Sequence, residues 1–343
     1  MTKKTIIIYL LILSTTQLFS QEKDYTAYHK LMNKAESKFF INKDVDSSLN
    51  FYDKAFENYD FIFVKDLLNA AQIACFKNKP FEKYVMRSFD FGMKTEHFNE
   101  YPILKKSVTE ILKKEWVEDT IKIKRKKYLV KLDLNYRSWI YDIAIEDQLS
   151  KSEPGYSKKV NFLLGRLGSR IRDTGFPGER IIGIDDDSIY GELGHPELDF
   201  SKKVKEISPN KLSYFKLDSE ILATKLPILL FIHHKCSYSK FESVFLEEIK
   251  KGNIHPRDVG LIYDNVFRFR NRKRISYCTS SLPENAFLLN LFTEYPERIS
   301  SNISNVNKLR AEFSIVSVEV DQMKKVYEKE FGFNLFSGFW SCR

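Results

Sequence analysis

The stretch AESKFFINKDVDSSLNFYDKAFENYD, residues 35–60, decides the fold. Apolar and aromatic residues recur in it three or four apart, which is the period of an amphipathic helix. Asn42 to Asp46 interrupt that period, so the stretch reads as two antiparallel helices joined there. The same spacing runs from Asp24 to about Lys114 with only short breaks. No strand is expected anywhere in 28–58, and Phe39, Tyr52 and Ala55 are expected to pack the pair together.

Upstream, Lys3 and Lys4, an apolar run from Ile6 to Leu13 and a polar exit STTQLFSQ have the three parts of a cleavable secretory signal. Residues 1–20 are therefore expected to be removed, leaving a mature chain that starts near Gln21. The apolar run stops at Ser14, well short of the roughly 20 residues that span a bilayer. Localisation is expected to be periplasmic or extracellular, with no stable membrane insertion after cleavage. The 343 residues carry a formal charge of +9, which favours salt-sensitive attraction to anions without selecting a partner. Export argues against nucleic acid as that partner. Cys75, Cys236, Cys278 and Cys342 lie far apart, with no Cys-x-x-Cys pair to suggest a zinc knuckle or a redox site.

The helical pair resembles a tetratricopeptide repeat. With Ala55 on that motif's late alanine, Tyr52 takes its aromatic position, Ser48 its early small position and Phe39 the aromatic of its first helix. Glu36 departs from it, standing where the motif has Gly or Ala. A second pair, DLLNAAQIACFKNKPFEKYVMRSFDFG over 66–92, follows at a similar period and departs further, with Tyr84 in place of a small residue. The resemblance implies that these helices, residues 22–115, dock a protein partner. The other reading is an ordinary helical bundle with an aromatic core.

At 119–134 the stretch DTIKIKRKKYLVKLDL alternates basic and apolar residues, so it is expected to be a strand or extended linker and to mark the domain boundary. The second unit, 118–343, opens with helices over YRSWIYDIAIEDQLSK and NFLLGRLGSRIRDTG, the latter stopped by Gly175. A loop-rich insertion runs from Gly178 to about Asn210. It is followed by the apolar LPILLFIHHKC, an amphipathic helix carrying Phe241, Val244, Phe245 and Ile249, and a helix starting at Pro256. NVFRFRNRKRISYCTSS, residues 265–281, reads as a β-hairpin turning near Asn271, and a last helix covers 306–331. The expected fold is mainly α: tetratricopeptide-like helical hairpins, then a helical domain with a small β-hairpin.

The order of features over 136–330 resembles an uncharacterised bacterial family, a domain of unknown function. The matching positions are Asp147 with Gln148, Gly175 with Phe176 and Pro177, His234 beside His233, Asp264, Tyr277 with Thr279, and the closing VNKLRAEF with Asn307 and Arg310. Lys151 and Cys278 depart from it, and the insertion is longer. The resemblance implies a fold unit and a residue list but no reaction. Asp147, His233, His234, Asp264 and Tyr277 are the candidate site, because a carboxylate orienting an imidazole is what a general base requires. It is equally what a buried polar network uses to satisfy itself. His234 is expected to bond at least one of Asp147, Asp264 and Tyr277.

In the insertion, Asp185, Asp186, Asp187, Glu192, His195, Glu197 and Asp199 form an acidic loop; Asp185, Asp187 and His195 are its metal-ligand candidates, although the spacing matches no calcium loop. A solvated loop is the expectation there, and another for Arg268, Arg270, Arg272, Lys273 and Arg274. His29, His97 and His255 stand alone in the sequence. No Gly-x-Ser-x-Gly or His-Glu-x-x-His is present, and no cofactor is expected. The reading is an exported interaction or scaffold protein. Its alternative is a hydrolase-type enzyme using His234 with Asp147 or Asp264.

Overall fold

A computed structural model describes residues 23–151, 153–207, 225–234, 237–270 and 303–336. The expected signal segment, Tyr277, Thr279, Cys236, Cys278 and Cys342 lie outside them. Asp24 caps α1 (Tyr25–Phe40) by accepting from the Thr26 amide, and Asp44 caps α2 (Val45–Asn58) by accepting from Ser47. Each such cap contributes about 1 kcal/mol. The Ser48 hydroxyl donates to the Ala35 carbonyl, and the Tyr59 hydroxyl donates to the Asp24 carbonyl. The end of one helix thus meets the start of the other, which makes the pair antiparallel. Phe39, Tyr52 and Ala55 are all buried, and the Phe39 ring packs against Tyr327 and Phe333 of the closing segment.

α3 (Val64–Phe76), α4 (Glu82–Ser88), two 3-10 turns (Phe89–Phe91 and Thr95–Glu100) and α5 (Pro102–Leu112) complete the front of the molecule. α3 is buried almost all round, which places it at the centre.

The expected strand or linker at 119–134 is instead helix α6 (Glu115–Lys131). Ile123 and Val130, which created the apparent alternation, are largely exposed. The helix buries Val117, Tyr128 and Leu129 at helical spacing. Glu115 and Glu118 in its first turn and Lys131 in its last suit the helix dipole, and Glu118 pairs with Lys122 one turn on.

α7 (Leu134–Ser150), α8 (Tyr156–Thr174), α12 (Lys225–His233), α13 (Ser237–Lys251) and α14 (Pro256–Arg270) build the second core. Three short helices, α9 (Glu179–Ile182), α10 (Ile189–Glu192) and α11 (Phe200–Ile207), lie in the insertion. Gly175 ends α8 at φ +96°, and a side chain there would collide with Asn253 and Ile181. The expected β-hairpin is also corrected over its first half. Residues 265–270 continue α14, because Pro256 at its first turn starts a helix that Val259, Ile262 and Tyr263 propagate on a buried face. The rest of the expected hairpin lies outside the described residues, and no strand occurs among them.

The closing segment is two helices, α15 (Ile303–Glu312) and α16 (Val318–Phe331), with Ser314 between them at φ +58°. α16 returns to the front of the molecule. Val316, Val320, Tyr327, Phe333 and Leu335 belong to the same core as Tyr25, Phe39 and Tyr52. Among the described residues no helix is long and apolar enough to cross a membrane.

Candidate functional site

Asp147 shares the inward stripe of α7 with Ile140, Ile143 and Ala144, so its carboxylate is carried into the second core. It accepts from the Tyr156 hydroxyl at 2.8 Å, from Gln148 Nε2 at 3.0 Å and from His233 Nδ1 at 2.7 Å. A carboxylate only accepts, so Nδ1 carries a proton and Nε2 is left as the ring nitrogen not engaged by Asp147. Side-chain exposure is 1% for Asp147 and 12% for His233.

The imidazole on Asp147 is therefore His233, one position before the residue expected there. Successive helical residues point about 100° apart, so the last residue of α12 and the next one cannot share a partner readily. His234 is half-buried, and burial together with the Lys240 charge pulls its pKa down to about 4. Asp264 is buried on α14 within the field of Arg310.

The acidic insertion, expected to be a solvated loop, instead meets the basic helix α6. Arg125 Nη2 contacts Asp186 at 2.5 Å and Glu192 at 2.8 Å, and Lys94 approaches Asp186 at 3.3 Å. Burial raises the Asp186 carboxyl, yet Arg125, the Ser188 amide and Lys94 outweigh it and hold the pKa down at about 2. Arg137, 2% exposed, donates to the carbonyls of Ile182, Ile184 and Asp186 and so fixes the start of the insertion. Of the metal-ligand candidates, Asp187 accepts from Ser201, and His195 lies 3.5 Å from Glu197 on the surface. Among the described residues no three His, Cys, Asp or Glu side chains are placed to hold a metal ion.

A third cluster escaped sequence reading. It lies where α1, α3, α14, α15 and α16 converge. Asp321 takes Arg257 on one carboxylate oxygen and Arg310 on the other, each at 2.8 Å. Lys324 reaches Glu36 at 2.7 Å, Lys65 reaches Asp258 at 3.2 Å, and the Tyr28 hydroxyl donates to Asp66 at 2.8 Å. Glu36, the residue that departs from the repeat motif, is thus the partner of Lys324, and it also accepts from Asn69. Glu179 sits close by, accepting from the Val64 amide, with burial pushing its pKa up to about 8 against the attraction of Lys65.

His29 and His255, isolated in the sequence, stack edge to face in this cluster at 5.3 Å. Burial drives both imidazoles well below the usual range, so they are neutral. The His255 ring accepts from the Arg257 amide at Nδ1 and turns Nε2 toward Asp66 at 3.7 Å. His29 Nε2 and Asn69 Oδ1 have no hydrogen-bond partner among the described residues, and both side chains belong to the lining of the same small cavity. One signal in the sequence marks the cluster. His29 and Glu36 occupy the apolar stripe of α1 beside Tyr25, Tyr28, Met32, Ala35, Phe39 and Phe40.

Comparison with known protein families, curated proteins and solved structures returns no match.

Proposed function

We propose that the chain is an exported interaction protein whose polar clusters hold its helices in register. Export rests on Lys3, Lys4 and the short apolar run from Ile6 to Leu13. Partner binding through the tetratricopeptide-like helices rests on the positions of Phe39, Ser48, Tyr52 and Ala55. One observation carries the preference over catalysis. Asp147 is sealed at 1% exposure and already accepts three hydrogen bonds, so it forms a closed network instead of the wall of a cleft. The second reading, a hydrolase-type enzyme, is favoured by the anchored Nδ1 of His233, which aligns Nε2 as a base aligned by a carboxylate would be.

A structural role for the pair has a defined signature. Asp147→Asn lowers stability by about 1–3 kcal/mol, the usual cost of disturbing buried hydrogen bonds to a charged group. Ester, phosphoester and peptide substrates show no turnover with the wild-type protein beyond that of His233→Gln. Turnover by the wild type that a fully folded His233→Gln lacks reverses the choice. Mass spectrometry of the exported protein reads a first residue near Gln21, and an intact Met1 removes the export reading.

A further inference from the structure

Phe162, Arg166, Ser169, Arg170 and Asp173 are spaced by four, seven, eight and eleven residues, which puts them on one face of α8. With Trp139 of α7 they line an open surface cleft of about 760 Å³. Two guanidinium groups lie against the Trp139 ring, Arg170 at 5.0 Å and Arg166 at 5.7 Å from its centroid. Arg170 is also 4.7 Å from the ring of Tyr136, and Arg166 is 5.8 Å from Phe162. Phe162 itself is 58% exposed.

The two arginines are not equivalent. Arg166 leans toward Glu146 at 3.6 Å, a carboxylate that Lys159 also contacts. Arg170 has no hydrogen bond or ion pair with any described residue, although two rings hold its guanidinium in place. Stacking leaves the N–H edge of a guanidinium free, and that edge matches a carboxylate bidentately. Like charges one turn apart, such as Arg166 and Arg170, disfavour each other until an anion arrives. α8 carries Lys158, Lys159, Arg166, Arg170 and Arg172 against Asp173 alone, and Asp173 marks the end of the cleft where an acidic ligand is repelled.

We propose that this face docks an extended acidic segment of a partner protein, with a carboxylate on Arg170 and an aromatic or aliphatic side chain on Phe162. The proposal rests on the interaction-protein reading and adds to its tetratricopeptide-like helices a second surface, on α8, with a stated partner chemistry. Arg170 and Phe162 are eight residues apart, so about 12 Å separates them along the helix axis. An extended chain covers that distance in about four residues. The partner segment therefore has Asp or Glu about four positions from its apolar anchor.

The probe is a fluorescein-labelled nonapeptide with Glu at position three and Phe at position seven in a Gly-Ser background, titrated against the mature protein by anisotropy. Saturable binding in the micromolar to millimolar range is expected. It weakens at least fivefold with Arg170→Gln, with Phe162→Ser, and with a peptide in which Gln replaces Glu. Both variants change exposed or half-exposed groups, so their thermal midpoints stay near that of the wild type; the peptide substitution tests the charge without touching the fold. Absence of binding up to millimolar protein, or equal binding by wild type and Arg170→Gln, overturns the proposal. Phosphatidylglycerol vesicles and inorganic phosphate are titrated in parallel. Arg170-dependent binding to either one without peptide binding reassigns the guanidinium to a lipid headgroup or free phosphate. A cellular partner retained equally by wild type and Arg170→Gln leaves the interaction reading standing and removes this face from it.

Discussion

Two charged clusters hold this molecule together, and they differ in how far water reaches them. Around Asp321 and Lys324, side-chain exposure is 1% on Asp321, 0% on Arg310 and 1% on Lys324. Around Arg125 it rises to 12% on the arginine and 33% on Glu192. Coulomb attraction is strong in the first setting and screened in the second, but the first also carries the full cost of removing each charge from water. The buried cluster therefore specifies which helices meet, and its worth shows mainly when one member is missing. The half-open cluster adds a modest, salt-sensitive clasp between α6 and the insertion.

The largest effect expected of any single change belongs to Asp321→Asn. It strips the shared countercharge from Arg257 and Arg310 and should lower the unfolding free energy by about 3–5 kcal/mol, read as a fall in urea midpoint at constant slope. A loss below about 1 kcal/mol would mean that water enters this cluster as freely as the other. Next comes the Glu36 and Lys324 pair. Glu36→Gln and Lys324→Met should each be strongly destabilising, while the double variant costs less than their sum by about 1–3 kcal/mol in a double-mutant cycle. Strict additivity would show that the two charges do not sense one another.

A pH titration separates the clusters further. His29 and His255 have folded-state pKa values well below the ordinary 6.5, so the unfolded chain takes up their protons first. Their contribution is complete above pH 6.5 and is lost as pH falls below it, at up to about 1.4 kcal/mol per pH unit per proton. Glu179 has the opposite sign. Its carboxyl is raised from 4.5 to about 8, so folding takes up a proton between those values and stability from this group grows as pH falls. Wild-type stability should fall from pH 6.5 to 5, because two imidazoles outweigh one carboxyl, and Glu179→Gln should fall more steeply still. Parallel curves would remove the raised Glu179 carboxyl from the account, and a Glu179→Gln curve that stays flat would remove the neutral imidazoles. The smallest effect is that of Arg125→Met, about 1 kcal/mol in low salt and markedly less in 1 M sodium chloride, with the Asp321→Asn loss unchanged by salt. Equal salt responses would erase the distinction between the clusters.

What the sequence disclosed follows the same division. Helical period in a one-sided pattern was readable, so the α1 and α2 pair, the end of α8 at Gly175 and the start of α14 at Pro256 all fall where spacing and turn chemistry put them. The period misled where few apolar residues are buried. α6 hides only Val117, Tyr128 and Leu129, and its exposed Ile123 and Val130 imitated a strand. Asp147 and a neighbouring histidine could be named because both border apolar runs, but which histidine faces the carboxylate depends on one step of helical phase. The buried ionic cluster stayed hidden because its members come from three segments far apart in the chain, and Lys324 gives no hint from its neighbours that Glu36 is its partner.

The return of α16 to the front core has a kinetic side. Lys324 bonds a residue 288 positions earlier, and Val320, Tyr327 and Phe333 fill space beside Tyr25 and Phe39. Contacts of such sequence separation close late, because the whole intervening chain must first be held in a loop. Until the final segment emerges, the aromatic face of α1 stays open and prone to aggregate. A nascent chain halted before Val318 is therefore a client for a holdase chaperone, and the last helix acts as the timer that ends that dependence.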